Sequence, residues 1–246
     1  LESVTLGGLF GNFGNIGDFL NVALMRIIPA LLCITVHELA HGFTAYKLGD
    51  RTAKDLGRLT LNPIKHIDPI GLLMMLLIGF GWAKPVPVDI RNFKHPKWYM
   101  AVTAFAGPLS NIILAVVIIF TLGLFTTSLG VIVDPNTGQL FYTSETGLTI
   151  YTMISSAVFL SVALAVFNML PLPPLDGSKV LFSLFPEHIY YKILRYERYG
   201  IILLLVLMNS ELLFGIDIFR RTIGSMSGFI ISNIYVFYDF AYNLVN

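Results

Sequence analysis

IIPALLCITVHELAHGFTAY, residues 27–46, is 20 residues long and mostly apolar, the length of a helix that crosses a bilayer. Inside it stand His37, Glu38 and His41. Titratable groups at that depth are costly, so they mark a functional site. Positions i and i+4 lie on one face of a helix. His37 and His41 therefore offer two imidazole nitrogens to one Zn²⁺, and Glu38, one step round the helix, can work on a water that the metal activates. The pattern is the H-E-x-x-H of zinc-dependent hydrolases. Two hydrogen-bonded core histidines would be the plainer reading on a soluble helix. In a membrane, an unpaired cluster of two histidines and a glutamate disfavours insertion.

Composition agrees with a membrane solvent. Of 246 residues, 55% are hydrophobic and 13% charged, against about 25% charged in soluble domains. The net charge of +1 gives no sign of a nucleic-acid partner. Cys33 is the single cysteine, so no disulfide forms within the chain. It lies one helical turn before His37 and reads as a small buried hydrophobe rather than a thiolate ligand.

Working outward, a first span covers about residues 18–48, with Pro29 inside it and Gly49-Asp50 as its stop. The run 70–82 is too short and glycine-interrupted to cross, and reads as re-entrant or interfacial. In Ala83-Lys84-Pro85-Val86-Pro87-Val88 the prolines forbid helix and suit an extended edge strand. Further spans are expected at 99–125 and 148–170. A polar loop separates them at 126–147, and a helix-breaking Pro171-Leu172-Pro173-Pro174-Leu175-Asp176-Gly177 follows. Residues 178–185 read as a short helix, 187–199 as a polar connector, and 201–214 and 216–245 as last hydrophobic segments. Nine of the 16 basic residues fall between Lys47 and Lys97, none between Trp98 and Ser178, and four between Lys179 and Arg198. The positive-inside rule then puts 47–98 and 179–198 on the cytoplasmic side and 126–147 outside. His41 and Asp176 thereby reach one membrane level.

Catalytic zinc takes three protein ligands and keeps a fourth position open. Asp176 is the candidate third ligand; alternatively it caps the helix that follows. Glu38 is the candidate general base and later proton donor to the leaving amine. Asn111, within a span, either packs helices together or donates to a developing oxyanion. His66, His95 and His188 read as structural.

His37-Glu38-Leu39-Ala40-His41 in one span, Gly107-Pro108-Leu109-Ser110-Asn111 in a second and Asn168 to Gly177 closing a third together resemble the site-2 protease family of intramembrane zinc metalloproteases. Asn62-Pro63, Asp68-Pro69-Ile70-Gly71 and Gly79 to Val88 look like its compact prokaryotic branch, without PDZ or CBS domain. The resemblance covers about residues 27–185. It implies one zinc per chain on His37, His41 and Asp176, Glu38 as acid/base, and Asn111 near the substrate carbonyl. It also implies a membrane-associated β element in the 79–88 stretch; read as an exposed edge, Gly79, Gly81, Pro85, Val86, Pro87 and Val88 would clamp unwound substrate as an added strand, the alternative being a rigid Pro-rich connector. The expected architecture is an all-α polytopic membrane protein of about 5–6 transmembrane helices with that small β element. It forms one domain over 1–246, with a catalytic core at about 18–186 and extra C-terminal helices at about 200–246. The expected activity is hydrolysis within or beside a substrate's transmembrane helix, in a prokaryotic plasma membrane with the site toward the cytoplasm. The expected partners are a transmembrane-helix substrate and the lipid bilayer. The alternative is a non-catalytic membrane metal protein, a carrier or an inactive scaffold.

Overall fold

Long apolar segments become helices because a helix satisfies its own backbone away from water. The structure, a computed structural model, describes residues 16–78, 81–133, 140–211 and 217–245. Three helices there are long and apolar enough to cross a membrane: α1 (Ile16–Lys47) from Ile27 onward, α4 (Pro96–Phe125) and α5 (Glu145–Met169). Between α1 and α4 lie a four-residue helix α2 (Thr52–Asp55), a 3-10 turn at Pro63–His66 and α3 (Pro69–Ile78). α3 has ten residues, about 15 Å, half the hydrocarbon thickness; it does not cross, as the sequence led us to expect. α6 (Asp176–Phe182), α7 (Glu187–Met208) and α8 (Ile218–Val245) complete the helices described here.

α4 is the central element and packs against α1, α5, α6 and α8. One face is small and buried: Ala101, Ala104, Gly107, Pro108, Asn111 and Ala115. Small residues let helices approach closely where lipid gives no hydrophobic drive. Its other face carries Val102, Phe105, Leu109, Ile113 and Val117, all exposed, a stripe at helical spacing suited to an apolar solvent. Ile119, Leu122, Val158, Val162 and Tyr238 join α4, α5 and α8 in an apolar core.

Three expectations are corrected. Residues 126–147 are not simply a polar loop. They contain β1 (Val131–Val133) and β2 (Leu140–Tyr142), antiparallel with Ile132 opposite Phe141. Val-Ile-Val and Leu-Phe-Tyr favour strand by their branched and aromatic side chains. The β element expected around 79–88 is, from Gly81 on, a single bridge between Ala83 and Ile67 followed by extended chain. Pro85 and Pro87 have no N–H with which to continue a ladder. Gly79 lies outside the described residues. Finally, 187–199 is the first half of α7 rather than a connector. Its polar residues are good helix formers and no breaker interrupts them. Among the described residues, the three helices named above meet the length and apolarity of a membrane span.

Candidate metal centre

His37 and His41 lie one turn apart on α1, and Asp176 is the first residue of α6. The Pro-rich break before Asp176 brings α6 back against α4. Gly177 is needed there, because a Cβ would collide with the carbonyls of Met169 and Leu170. The result is a near-equilateral triangle of ligand atoms. His37 Nε2 and His41 Nε2 lie 3.0 Å apart, and each faces Asp176 Oδ2, at 3.2 and 3.1 Å. Zinc bonds of 2.0–2.1 Å in a tetrahedron require ligand atoms about 3.3 Å apart, so the triangle fits within about 0.3 Å. His37 and Asp176 are buried. Leu175, not Asp176, is the N-cap of α6; the Asp176 carboxylate faces the imidazoles. Among the described residues no other group of three such side chains comes together.

The protonation of the imidazoles also suits a metal. His41 Nδ1 lies 2.7 Å from the carbonyl of Thr103 on α4. A carbonyl only accepts, so Nδ1 carries the proton and Nε2 turns a lone pair inward, the usual arrangement of a metal-ligating histidine. Both rings pack against Gly107. A Cβ there would lie 2.7 Å from His37 Cε1 and would also clash with His41 Cε1 and Nε2.

The triangle opens on a cavity of about 320 Å³ whose wall includes Glu38, Val86, Val88, Asn168 and Lys179. Glu38 Oε2 accepts from the Val86 N–H at 2.6 Å. That bond ties the candidate base to the extended segment expected to hold substrate. Other bonds hold the segment in place. Lys84 N–H donates to His66 O at 2.9 Å, Arg58 donates to Lys84 O at 2.7 Å, and Asp89 N–H donates to Asp50 at 2.8 Å. Of the residues expected to hold substrate, Pro85, Val86 and Val88 line the cavity. Gly81 instead lines a separate small pocket with Trp82.

Asn111 is not in that wall. It is fully buried behind His37, its amide nitrogen 3.3 Å from His37 Nδ1. Cys33 is buried and its thiol points at Ala157 O, 3.5 Å away, so it is not a ligand here. His66 is buried with Nε2 2.9 Å from Thr60 O, and His95 stands edge-on to Tyr99. Sequence reasoning missed Thr103, because its contribution is a backbone carbonyl. It also missed Lys179, whose Nζ is 3.8 Å from Asp176 Oδ1; the i,i+3 spacing on a helix was the available signal.

The model of peptidase family M50 matches residues 25–208. The chain is 42% identical to "Putative zinc metalloprotease YwhC" of Bacillus subtilis, over 76% of this chain and 80% of the relative. It is 30% identical to "Putative zinc metalloprotease Rip2" of Mycolicibacterium smegmatis, over 67% of this chain and 58% of that relative. With "Putative zinc metalloprotease Rip2" of Mycobacterium tuberculosis H37Rv it shares 26% identity, over 80% of this chain and 71% of the relative. No solved structure matches significantly. Zinc is the metal that these names and the cluster of two histidines and an aspartate imply.

Proposed function

The chain belongs to peptidase family M50, and from that premise we propose that it is an intramembrane zinc metalloendopeptidase. Its substrates are membrane proteins, cut within or beside their transmembrane segments. The observation that carries this reading is the placement of the His37, His41 and Asp176 triangle. It lies between helices apolar enough to span a bilayer and opens on a cavity that also holds Glu38.

When bound, zinc supplies Lewis acidity that polarises the scissile carbonyl and lowers the pKa of a water to about 7. The remaining steps belong to the chain. Glu38 takes a proton from the attacking water as its oxygen bonds to the carbonyl carbon. As the C–N bond breaks, Glu38 returns that proton to the amine. Thr103 keeps His41 oriented throughout. The 85–88 stretch beside the site receives the N–H groups of the unwound substrate on its backbone carbonyls.

Apolar C-terminal segments within about 200–246 add further membrane helices to the three spans, for about 5–6 in all. The metal site faces the cytoplasmic side of a prokaryotic plasma membrane, the side favoured by the basic segments 47–98 and 179–198. The test is reconstitution of the purified chain with a single-span substrate, followed by mass spectrometry of the products. The reading expects zinc-dependent cuts inside or next to the span. Cuts confined to soluble loops, or no zinc dependence, would defeat it.

A further inference from the structure

We infer that Asn111 is a positioning residue of the metal centre. Its side-chain oxygen receives the Nδ1 proton of His37 and thereby turns the Nε2 lone pair toward zinc. The inference rests on the metal-centre reading above.

Asn111 sits one turn after Gly107 on α4, at 0% exposure. Its amide is 3.3 Å from His37 Nδ1. Its turn of α4 is pinned from α5, since Ser161 Oγ donates to the Asn111 carbonyl at 2.8 Å. The side chain does not reach the cavity that holds Glu38. A donor to the developing oxyanion must lie about 2.7–3.1 Å from where that oxygen forms. From behind the His37 ring Asn111 does not meet that requirement.

The chemistry of His37 then decides which end of the amide faces it. A neutral imidazole has one N–H and one lone pair. His37 Nε2 is a corner of the ligand triangle, so its lone pair must point inward and the proton must sit on Nδ1. Only Oδ1 of the amide can receive that proton. A half-turn about χ2 exchanges Oδ1 and Nδ2 in nearly the same space. Asn111 Oδ1 has no hydrogen-bond partner elsewhere, so no other donor holds it away from His37. The two histidines are then fixed in the same manner, His41 by the Thr103 carbonyl and His37 by the Asn111 amide oxygen. Such outer partners set the ring orientation and basicity of metal ligands.

The test compares zinc affinity, by competition with a chromophoric chelator, in the detergent-solubilised full chain. Asn111→Leu keeps the shape and removes the acceptor; zinc affinity should fall about 10- to 100-fold. Asn111→Asp keeps an acceptor oxygen and removes the NH₂ donor; it should retain the affinity that the leucine variant loses. Asn111→Ala takes the place of the leucine variant if that chain does not fold. Wild-type zinc affinity in the leucine or alanine variant, with kcat lowered, is the signature of an oxyanion donor and overturns the inference. An aspartate variant that loses zinc as fully as leucine overturns it as well. Wild-type protein that binds no zinc, or His37→Ala that keeps it all, would instead remove the metal-centre reading itself.

Discussion

Gly107→Ala adds one methyl group where both histidine rings rest. The new Cβ would stand 2.7 Å from His37 Cε1, and His41 Cε1 and Nε2 would also be in its way. Carbon atoms prefer about 3.5–4.0 Å, so at least one ring must move by nearly 1 Å. His41 has little freedom to do so, because its Nδ1 is bonded to Thr103 O at 2.7 Å. Glycine 107 itself cannot retreat, being buried in the middle of α4. Overpacking of this kind costs about 1–3 kcal/mol. A ring displaced by that much no longer meets zinc at the usual bond length, which metal sites keep to about 0.2 Å, so the cost falls on zinc binding. That corresponds to an affinity about 5- to 150-fold weaker. The assay is a chelator-competition titration on purified protein, run beside thermal unfolding without added zinc. Gly224→Ala is the matched control, since a Cβ there meets nothing within 4 Å; it should bind zinc normally and gain about 0.5–1 kcal/mol from helix propensity. Wild-type zinc affinity in Gly107→Ala would refute the packing argument.

Other outcomes follow from the same geometry. Asp50 is buried and accepts from Thr52 N–H, Thr52 Oγ1, Asn92 Nδ2 and Asp89 N–H. Asp50→Asn would set a donor against donors, and urea or thermal unfolding should show a loss of about 1–3 kcal/mol. Burial opposes ionisation of Asp50, but the bonds from Thr52 and Asn92 prevail and hold its carboxyl below the usual carboxylate range. Its contribution is therefore complete above the unfolded pKa of about 4 and is lost as pH falls through the folded value. Unfolding of Asp50→Asn followed below pH ~4 should show less acid sensitivity than wild type. Val86→Pro removes the N–H that Glu38 Oε2 accepts, in a segment that Pro85 and Pro87 already hold extended. We expect kcat to fall while zinc content, read by atomic emission, stays the same. Single cysteines at Lys65 and Asn136, in a Cys33→Ser background, should label from the cytoplasmic and external sides respectively with an impermeant thiol reagent; the reverse pattern would overturn the orientation.

The parts of this protein that the sequence made legible are those written in side-chain type and spacing. His37 and His41 at i,i+4, and a carboxylate at a Pro-rich break, were enough to place three ligand atoms that the fold brings within 3.2 Å of one another. Long apolar runs located α1, α4 and α5 within a few residues. Contacts made by the backbone left no such trace. Thr103 O on His41 and Val86 N–H on Glu38 depend on how α4 and the 81–88 segment cross α1, and any residue type supplies those groups. Polarity misled at 187–199, because a charged segment without a breaker forms helix as readily as loop. It misled again at 126–147, where two three-residue apolar runs are too short to stand out before they pair. Asn111 was visible as a polar group in a span. Which side of His37 it occupies is a matter of helix rotation, and spacing along the chain does not carry that.

If His37, His41 and Asp176 hold zinc while Glu38 moves the proton, metal binding and turnover separate in a single variant. One preparation of Glu38→Gln, assayed for both zinc content and cleavage of a reconstituted transmembrane substrate, tests it most directly. The variant should hold one zinc per chain, as wild type does, with a kcat lowered by about 10²- to 10⁴-fold. Cleavage at the wild-type rate by the zinc-loaded variant would contradict that division of roles.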